Sequence, residues 1–310
     1  MAEITKKNQK KFNVICWAND LINLLNLTSY QLEFFGRTNI PRNDHTKARK
    51  RSGKFEKYLQ FGHMPGPKTL ERFRGTKGEK AEYWLNHSIW CYLGDELVTY
   101  DQISNTLNQF RREGFSLNAN ALKTGFINFK AISRLGPIEV LWRKGSLEAV
   151  EALLALKLLG KKHNNQDLEF ASAQAAYNLL VLLSSNQPLY SIREELFDFL
   201  HETTFKGIPL CKELVTQSSQ INYLHQQLEE TFLTLRSQNI PLLNMNKKAT
   251  AIYRLWQYGA MEDGLCNFHM LSRSSQQQFY HFYYGHCRKN IVRKNFGLRS
   301  YRPYGFNLSI

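Results

Sequence analysis

The sequence predicts an all-α protein in which an N-terminal helix-turn-helix unit is joined to a multi-helix body and followed by a basic C-terminal tail. Apolar residues recur at helical spacing through nearly the whole chain. A turn rich in Gly and Pro separates two short basic helical segments near the N-terminus. We therefore predict units at residues 1–78, 79–287 and 288–310, with about eight to twelve helices around a continuous core.

Helical periodicity runs from Val14 to Leu25, and Thr28 offers an N-cap for a second short helix that ends before Gly36. Ahead of the first helix we predict a basic arm rather than a signal peptide, because no small-residue cleavage site follows the apolar segment. Its cations are Lys6, Lys7, Lys10 and Lys11. Residues 36–52 lose the periodicity, so we predict a loop, or an arm that becomes ordered on binding.

Two basic helices joined by a turn at residues 62–66 are predicted between Lys47 and Arg74, with Pro67 near the first position of the second helix. The predicted inward positions are Phe55, Tyr58, Leu59, Phe61, Leu70 and Phe73. The outward groups suit phosphates and base edges, which predicts nucleic-acid binding. These candidate binding residues are Lys47, Arg49, Lys50, Arg51, Lys54, Lys57, His63, Lys68, Thr69, Arg72 and Arg74.

Positive charge is concentrated at the two ends of the chain. The 310 residues carry 41 Lys and Arg against 26 Asp and Glu, a formal charge of +15. Residues 1–80 contribute +10 and residues 281–310 contribute +6, so the body is close to neutral. Cationic ends are typical of a phosphate-binding surface, because Lys and Arg release counterions from a polyanion. A cationic surface that serves solubility alone is the alternative.

A dense aromatic cluster lies between Tyr83 and Leu93. Its helical spacing, without interleaved cations, predicts a core joint between the N-terminal unit and the body rather than a base-stacking platform. A second helix-turn-helix-like passage runs over residues 99–123, with Thr99 as a cap and Gly114 at the end of its first helix. We predict an ordinary αα-hairpin there, since such pairs occur in many helical proteins.

The body is predicted to continue as helices. Ser146 caps an amphipathic segment of good helix formers that ends at Gly160, and further helices are expected over residues 167–183, 192–201, 214–235 and 249–258. No apolar run is long enough to predict a membrane-spanning helix. The five cysteines are widely spaced and odd in number, which argues against a disulfide framework and predicts a reducing, cytoplasmic location.

A short pattern over residues 45–95 resembles that of bacterial proteins with phage-repressor-type helix-turn-helix modules, including the accessory proteins encoded beside some retron reverse transcriptases. The pattern is Lys54-Phe55-x-x-Tyr58-x-x-x-Gly62-x-x-Pro65-x-x-x-Thr69-Leu70, then Trp84-Leu85-x-His87-x-x-Trp90-x-x-Leu93. The resemblance implies a second helix in the DNA major groove, with Lys68, Thr69 and Arg72 as outward readers. It also implies an accessory or effector role in antiviral defence and a protein partner such as a reverse transcriptase.

Sequence motifs of nucleotide binding and nucleophilic catalysis do not occur in the chain. It holds neither a Gly-x-x-x-x-Gly-Lys-Ser/Thr loop, nor a Gly-x-Ser-x-Gly elbow, nor a Gly-x-Gly-x-x-Gly after a strand. Acidic residues close enough in sequence to share a metal are few, and they are adjacent pairs: Asp95-Glu96, Glu194-Glu195, Glu229-Glu230 and Glu262-Asp263. Neighbouring side chains on a helix diverge by about 100°, so a shared magnesium ion is not expected. We predict no cofactor, and an enzyme would have to assemble its site only in the fold.

One group of Cys and His near the C-terminus has a spacing that suits tetrahedral zinc. Its members are Cys266, His269, His281, His286 and Cys287. The flanking Phe and Tyr residues are equally typical of an aromatic core in which Cys and His are buried. We favour the core interpretation and predict no metal, with zinc as the open alternative.

The C-terminal tail alternates cations with aromatic residues. Its candidate binding residues are Arg288, Lys289, Arg293, Lys294, Arg299 and Arg302. A segment of this composition suits binding along a polyanion, with Arg contacting phosphates and aromatic rings stacking on exposed bases. Docking of the same rings on the body or on a partner is an equal alternative.

Three functional hypotheses follow. The preferred one is a cytoplasmic DNA-binding protein that uses its helix-turn-helix for duplex DNA and its helical body for homodimerisation or partner binding. The alternative is a ribonucleoprotein subunit that holds RNA or single-stranded DNA without reading sequence. Only the first should discriminate between duplex sequences. The third is an enzyme, which a cleft of His or carboxylate groups with perturbed pKa values would favour.

Overall fold

The structure is a computed structural model that describes residues 2–36, 53–93, 98–110, 135–208, 219–237, 240 and 242–257. Regular secondary structure within these ranges is helical, and they contain no strand. The prediction of an all-α protein is confirmed. None of the described helices combines the length with the apolar run that a bilayer crossing requires.

The helices are numbered in chain order, with two 3₁₀ helices named η1 and η2. They are α1 Ala2–Leu25, α2 Ser29–Phe34, α3 Lys54–Phe61, α4 Pro67–Glu71, η1 Lys77–Ala81, α5 Glu82–Asn86, α6 Ile89–Tyr92, α7 Tyr100–Asn108, α8 Leu135–Lys144, α9 Leu147–Lys162, α10 Gln166–Leu183, η2 Leu189–Ile192, α11 Arg193–Glu202, α12 Ser219–Ser237 and α13 Met245–Gln257. Thr28 and Thr99 each form a capping box, and Ser146 caps α9, as predicted.

Helix α1 is the axis of the N-terminal unit and begins at Ala2. The prediction of a basic arm before Val14 is therefore wrong, because Lys and Gln are good helix formers and extend the helix toward the N-terminus. Helix α1 packs against α3, η1, α5 and η2. Gly78 is buried beside it, where an added Cβ would lie 2.8 Å from Leu21 Cδ2. Packing thus continues past residue 78, and a domain boundary there stays a prediction.

Trp17 of α1 is the centre of an aromatic core under the basic helices. Its ring stacks on Phe55 at 6.0 Å and meets Tyr58 and Phe73 edge-on at 5.4 and 6.2 Å. All four side chains are buried, which confirms the inward orientation predicted for Phe55, Tyr58 and Phe73. Edge-to-face aromatic pairs add stability beyond the area that they bury.

Phe61 was predicted to face inward, and this prediction is wrong. Its side chain is 60 % exposed. The reason is its position as the last residue of α3, since Gly62 follows in the left-handed region with φ +64° and turns the chain away. Helical periodicity predicts a face only while the helix continues.

The aromatic cluster after Gly78 forms the joint between the N-terminal unit and the body. Trp84, Trp90 and Tyr92 are buried, and the indole N–H of Trp90 donates to the Trp84 carbonyl at 2.7 Å. The indole of Trp84 donates to Asp20 of α1 at 3.1 Å. The core interpretation is confirmed for these three rings, whereas Tyr83 is exposed at the rim.

Helices α9 and α10 form a tight antiparallel pair at the centre of the body. Residues 149–160 of α9 are buried on every side, as expected for a helix enclosed by others. At Gly160 an added Cβ would lie 2.6 Å from the Glu169 backbone nitrogen. The close approach explains why the predicted stop at Gly160 is instead a packing contact, with α9 continuing to Lys162.

Candidate functional site

Exposed charge separates the described residues into a cationic N-terminal unit and a mildly acidic body. In the described part of the body, residues 98–110, 135–208, 219–237, 240 and 242–257, six exposed Lys and Arg stand against eight exposed Asp and Glu. In the N-terminal unit, over the described residues 7–36 and 53–93, the exposed acids are Glu71 and Glu79. Its exposed cations are Lys7, Lys10, Lys54, Lys57, Lys68, Arg74, Lys77 and Lys80. The positive charge of this unit lies where it can act on a polyanion.

The segment from α3 through the following turn to the start of α4 presents three of the predicted binding residues to solvent. Lys57, His63 and Lys68 are exposed, and within the described ranges no ion pair or hydrogen bond engages their side chains. Phe61, the last residue of α3, and Met64 of the turn have 60 % and 55 % of their surface exposed. The segment therefore combines accessible cations with accessible apolar side chains.

Gly62 fixes the turn against α1. Its φ of +64° is in the left-handed region, and an added Cβ would lie 2.4 Å from Lys11 Cα. Only glycine permits so close a backbone approach without strain. Lys7 and Lys10 lie one turn or less before Lys11 on α1, and both are exposed.

Thr69 was predicted to face outward, and the structure shows the opposite. Its side chain is 2 % exposed, and its hydroxyl accepts a hydrogen bond from Lys54 Nζ at 2.6 Å. The same ammonium lies 5.8 Å from the centre of the Tyr58 ring. Lys54 and Thr69 thus hold α3 and α4 together, and a base contact by Thr69 would require this pair to separate.

Arg72 was also predicted to be an outward reader, but its guanidinium is directed to the end of α2. It donates to the carbonyls of Leu32, Glu33 and Phe35 at 2.5–3.0 Å. The last carbonyls of a helix have no partner within the helix and carry its negative dipole end, so a guanidinium satisfies them well. Arg72 is therefore a structural cap in this arrangement.

The second helix of the predicted pair is short. Helix α4 spans Pro67–Glu71, which is about 7.5 Å of helix. Arg74 follows it and is exposed, with an ion pair to Glu71 at 2.7 Å. Exposed pairs of this kind contribute little to stability, so Arg74 can exchange Glu71 for a phosphate.

Several predicted groups lie outside the described residues. They are Lys47, Arg49, Lys50 and Arg51, the tail cations Arg288, Lys289, Arg293, Lys294, Arg299 and Arg302, and the Cys266, His269, His281, His286 and Cys287 group. Within the described ranges, no three His, Cys, Asp or Glu side chains are grouped so that they could hold a metal ion.

The chain matches no protein-family model, no curated protein sequence and no solved structure.

Four exposed cations of the N-terminal unit, Lys7, Lys10, Lys77 and Lys80, were not among the predicted binding residues. The sequence signal for the first two was present, because residues 7 and 10 are three apart and share a helix face. The prediction of a basic arm left Lys7 and Lys10 outside the predicted binding surface of the basic helices. Lys77 and Lys80 have the same spacing in η1, where residues three apart lie directly above one another.

A buried polar cluster connects the aromatic joint to helix α9. Glu151 is buried and accepts hydrogen bonds from Ser88 Oγ at 2.6 Å and Thr106 Oγ1 at 3.0 Å. His87 Nδ1 lies 3.6 Å from the other carboxylate oxygen, but it accepts the Ile89 backbone N–H at 3.0 Å. A nitrogen that accepts an N–H carries no proton, and burial lowers the pKa of His87. The pair is therefore not ionic at neutral pH.

The pKa values of Glu148 and Glu151 are shifted in opposite directions. Burial raises the pKa of Glu151, and the hydrogen bonds from Ser88 and Thr106 only partly offset it. Burial also acts to raise the pKa of Glu148, but the hydrogen bonds that its carboxylate accepts outweigh burial and lower this pKa. The foremost of them comes from Tyr83 OH at 2.6 Å. A raised pKa means that folding favours the protonated acid.

We expect Glu151→Gln to stabilise the protein at pH 8 and to have little effect near pH 4. The amide oxygen keeps the acceptor for Ser88 and Thr106, and the buried charge is removed. Wild-type stability should fall as pH rises from the ordinary glutamate pKa through the raised one, because the folded state retains a proton that the unfolded state releases. Thermal melts of both proteins between pH 4 and pH 8 measure this difference.

Glu148→Gln is the matched control, and its expected effect has the opposite sign. Its carboxylate has a lowered pKa, so ionised Glu148 contributes stability above the ordinary glutamate pKa, and this contribution is lost as pH falls through the lowered one. The variant should therefore melt below wild type at pH 8. A pH-independent offset for both variants would contradict the assignment of these two shifts.

A cleft of approximately 500 Å³ opens between α12, α13 and the turn after α10. His225 lines it, and burial lowers the pKa of this imidazole to about 4. Its Nε2 lies 3.0 Å from both the Val181 carbonyl and Ser184 Oγ. Because the carbonyl can only accept, Nε2 carries the proton and cannot serve as a base toward Ser184, which is fully buried. This Ser and His pair is therefore not an activated nucleophile.

Proposed function

We propose that the protein binds nucleic acid through the cationic surface of its N-terminal unit, and that duplex DNA is a ligand of the helix-turn-helix pair. The observation that carries the proposal is the exposed charge, with eight exposed cations against two exposed acids among the described residues 7–36 and 53–93. Lys57, His63 and Lys68 support it because their side chains are exposed and make no hydrogen bond or ion pair within the described residues. Such cations gain affinity by releasing counterions from phosphates.

The proposal extends to a partner. Because residues 45–95 resemble helix-turn-helix accessory proteins, we propose an accessory or effector role in antiviral defence, with the helical body binding a protein such as a reverse transcriptase or a second copy of the chain. Purification from a bacterial host without nuclease treatment, followed by sequencing of the nucleic acid and identification of the protein recovered, tests this extension. Clean protein at low salt would contradict both parts.

The double variant Lys57→Ala/Lys68→Ala is expected to weaken binding to a mixed-sequence 20-bp duplex. If each lysine contacts one phosphate, the slope of log K against log salt should become less steep by about two. Thermal stability should be unchanged, because neither side chain has a partner in the described fold. Fluorescence anisotropy at salt concentrations from 50 to 200 mM measures both affinity and slope.

Lys206→Ala is the matched control for this experiment. Lys206 is also an exposed lysine, but it lies on the body just after acidic α11. Its removal should leave affinity and salt slope unchanged. Equal losses from Lys206→Ala and from the single N-terminal variants would mean that total charge, and not this surface, determines binding.

A further inference from the structure

We infer that Phe61 and Met64 form a stacking site for an unpaired base, so that the N-terminal unit binds single-stranded nucleic acid in preference to duplex. This inference rests on the proposed function and names the form of nucleic acid that the same surface takes. Phe61 ends α3 and Met64 follows two residues after Gly62. Their side chains are 60 % and 55 % exposed, and the exposed His63 and Lys68 lie in the turn and at the start of α4.

The described geometry weakens groove reading by α4. A recognition helix in the major groove contacts base edges with several consecutive outward residues. Here α4 spans five residues, Thr69 is buried, and Arg72 caps the end of α2. Lys68 is the one member of the implied reader set that is exposed without a competing contact.

The exposed rings of Phe61 and His63 favour base stacking over groove reading. Bases within a duplex already stack on their neighbours, so an aromatic side chain gains a base face only where pairing is absent. Exposed aromatic groups beside a cationic groove are the usual means by which proteins hold single strands without reading sequence. Phe61 has its ring centre 5.9 Å from that of His63, which places a second planar group beside the stacking surface.

Cations precede and follow these apolar side chains on α3 and α4, and others lie on the part of α1 that Gly62 approaches. Lys57 is one helical turn before Phe61 on α3, Lys68 is in the first turn of α4, and Lys7 and Lys10 lie just before the Lys11 backbone against which Gly62 is packed. Phosphates on either side of a stacked base would meet these ammonium groups. A second protein with an apolar surface would gain nothing from them.

The test compares a fluorescein-labelled 20-nucleotide dT single strand with a mixed-sequence 20-bp duplex, using the full chain and fluorescence anisotropy. Wild type should bind the single strand more tightly. Phe61→Ala should weaken single-strand binding by about five- to 100-fold, the usual effect of losing one base-aromatic stack, and change duplex binding by less than about twofold. Phe61→Tyr should retain affinity, because it keeps the ring.

Tyr223→Ala is the matched control, because Tyr223 is an aromatic of similar exposure on α12 of the body. All variants should melt like wild type, since both rings are exposed. If wild type prefers duplex and Phe61→Ala has no effect, the stacking site is wrong and the proposed function stands. If wild type binds neither ligand at low salt, both are wrong. A single strand that contains 2-aminopurine should show fluorescence quenching with wild type and lose it with Phe61→Ala.

Discussion

Replacement of Gly62 by alanine is expected to destabilise the N-terminal unit by about 3–4 kcal/mol. Two costs combine at this position. The residue has φ +64°, and its new Cβ would lie 2.4 Å from Lys11 Cα and 2.8 Å from the Lys11 carbonyl oxygen. Both neighbours are backbone atoms of a helix, so they cannot move aside as a flexible side chain would. Urea unfolding of the variant and wild type measures the difference.

Gly75→Ala separates the two costs. Gly75 has nearly the same φ, +71°, but no atom lies within 4 Å of the position that its Cβ would occupy. Its replacement should cost only the left-handed backbone strain, about 1 kcal/mol. Similar losses for the two variants would show that the turn is not held against α1. We also expect Gly62→Ala, but not Gly75→Ala, to weaken nucleic-acid binding, because Lys57 and His63 are placed by this contact.

The helices were largely predictable because their determinants are local. Thr28, Thr99 and Ser146 cap helices whose hydrogen bonds lie within three residues of the cap. The aromatic core at Trp17 was predictable in part, since helical spacing identifies a face but not its partners. The start of α1 was missed because the clustered lysines were interpreted as a basic arm, although lysine has good helix propensity.

The candidate site was less predictable because tertiary contacts decide whether a polar side chain is free. Nothing local distinguishes Lys68 from Arg72, since both are cations in one short basic segment. Arg72 meets Leu32, Glu33 and Phe35, which are 37 to 40 residues distant in the chain. The Thr69 hydroxyl accepts a hydrogen bond from Lys54, which is 15 residues before it in the chain. Sequence periodicity carries no information about partners at these separations.

The Arg72→Ala variant is expected to lose stability in the N-terminal unit before it loses any specific contact with a ligand. Removal of the guanidinium leaves the Leu32, Glu33 and Phe35 carbonyls at the end of α2 without their charged donor. The loss should be about 2–3 kcal/mol, because bonds to charged donors exceed neutral ones and water replaces only part of them. Hydrogen exchange should report it as faster exchange in α2 and α3.

Lys68→Ala and Arg74→Ala are the matched controls, because each removes one cation from the same segment without this capping role. Lys68 has no partner in the described fold, and Arg74 pairs only with exposed Glu71. Both variants should keep wild-type hydrogen exchange and lose affinity uniformly across nucleic-acid sequences. If Arg72→Ala instead keeps wild-type exchange and loses affinity for one duplex sequence, Arg72 leaves the α2 carbonyls to read a base. Its cap would then be a resting position of a true recognition residue, and groove reading would be favoured over the stacking site.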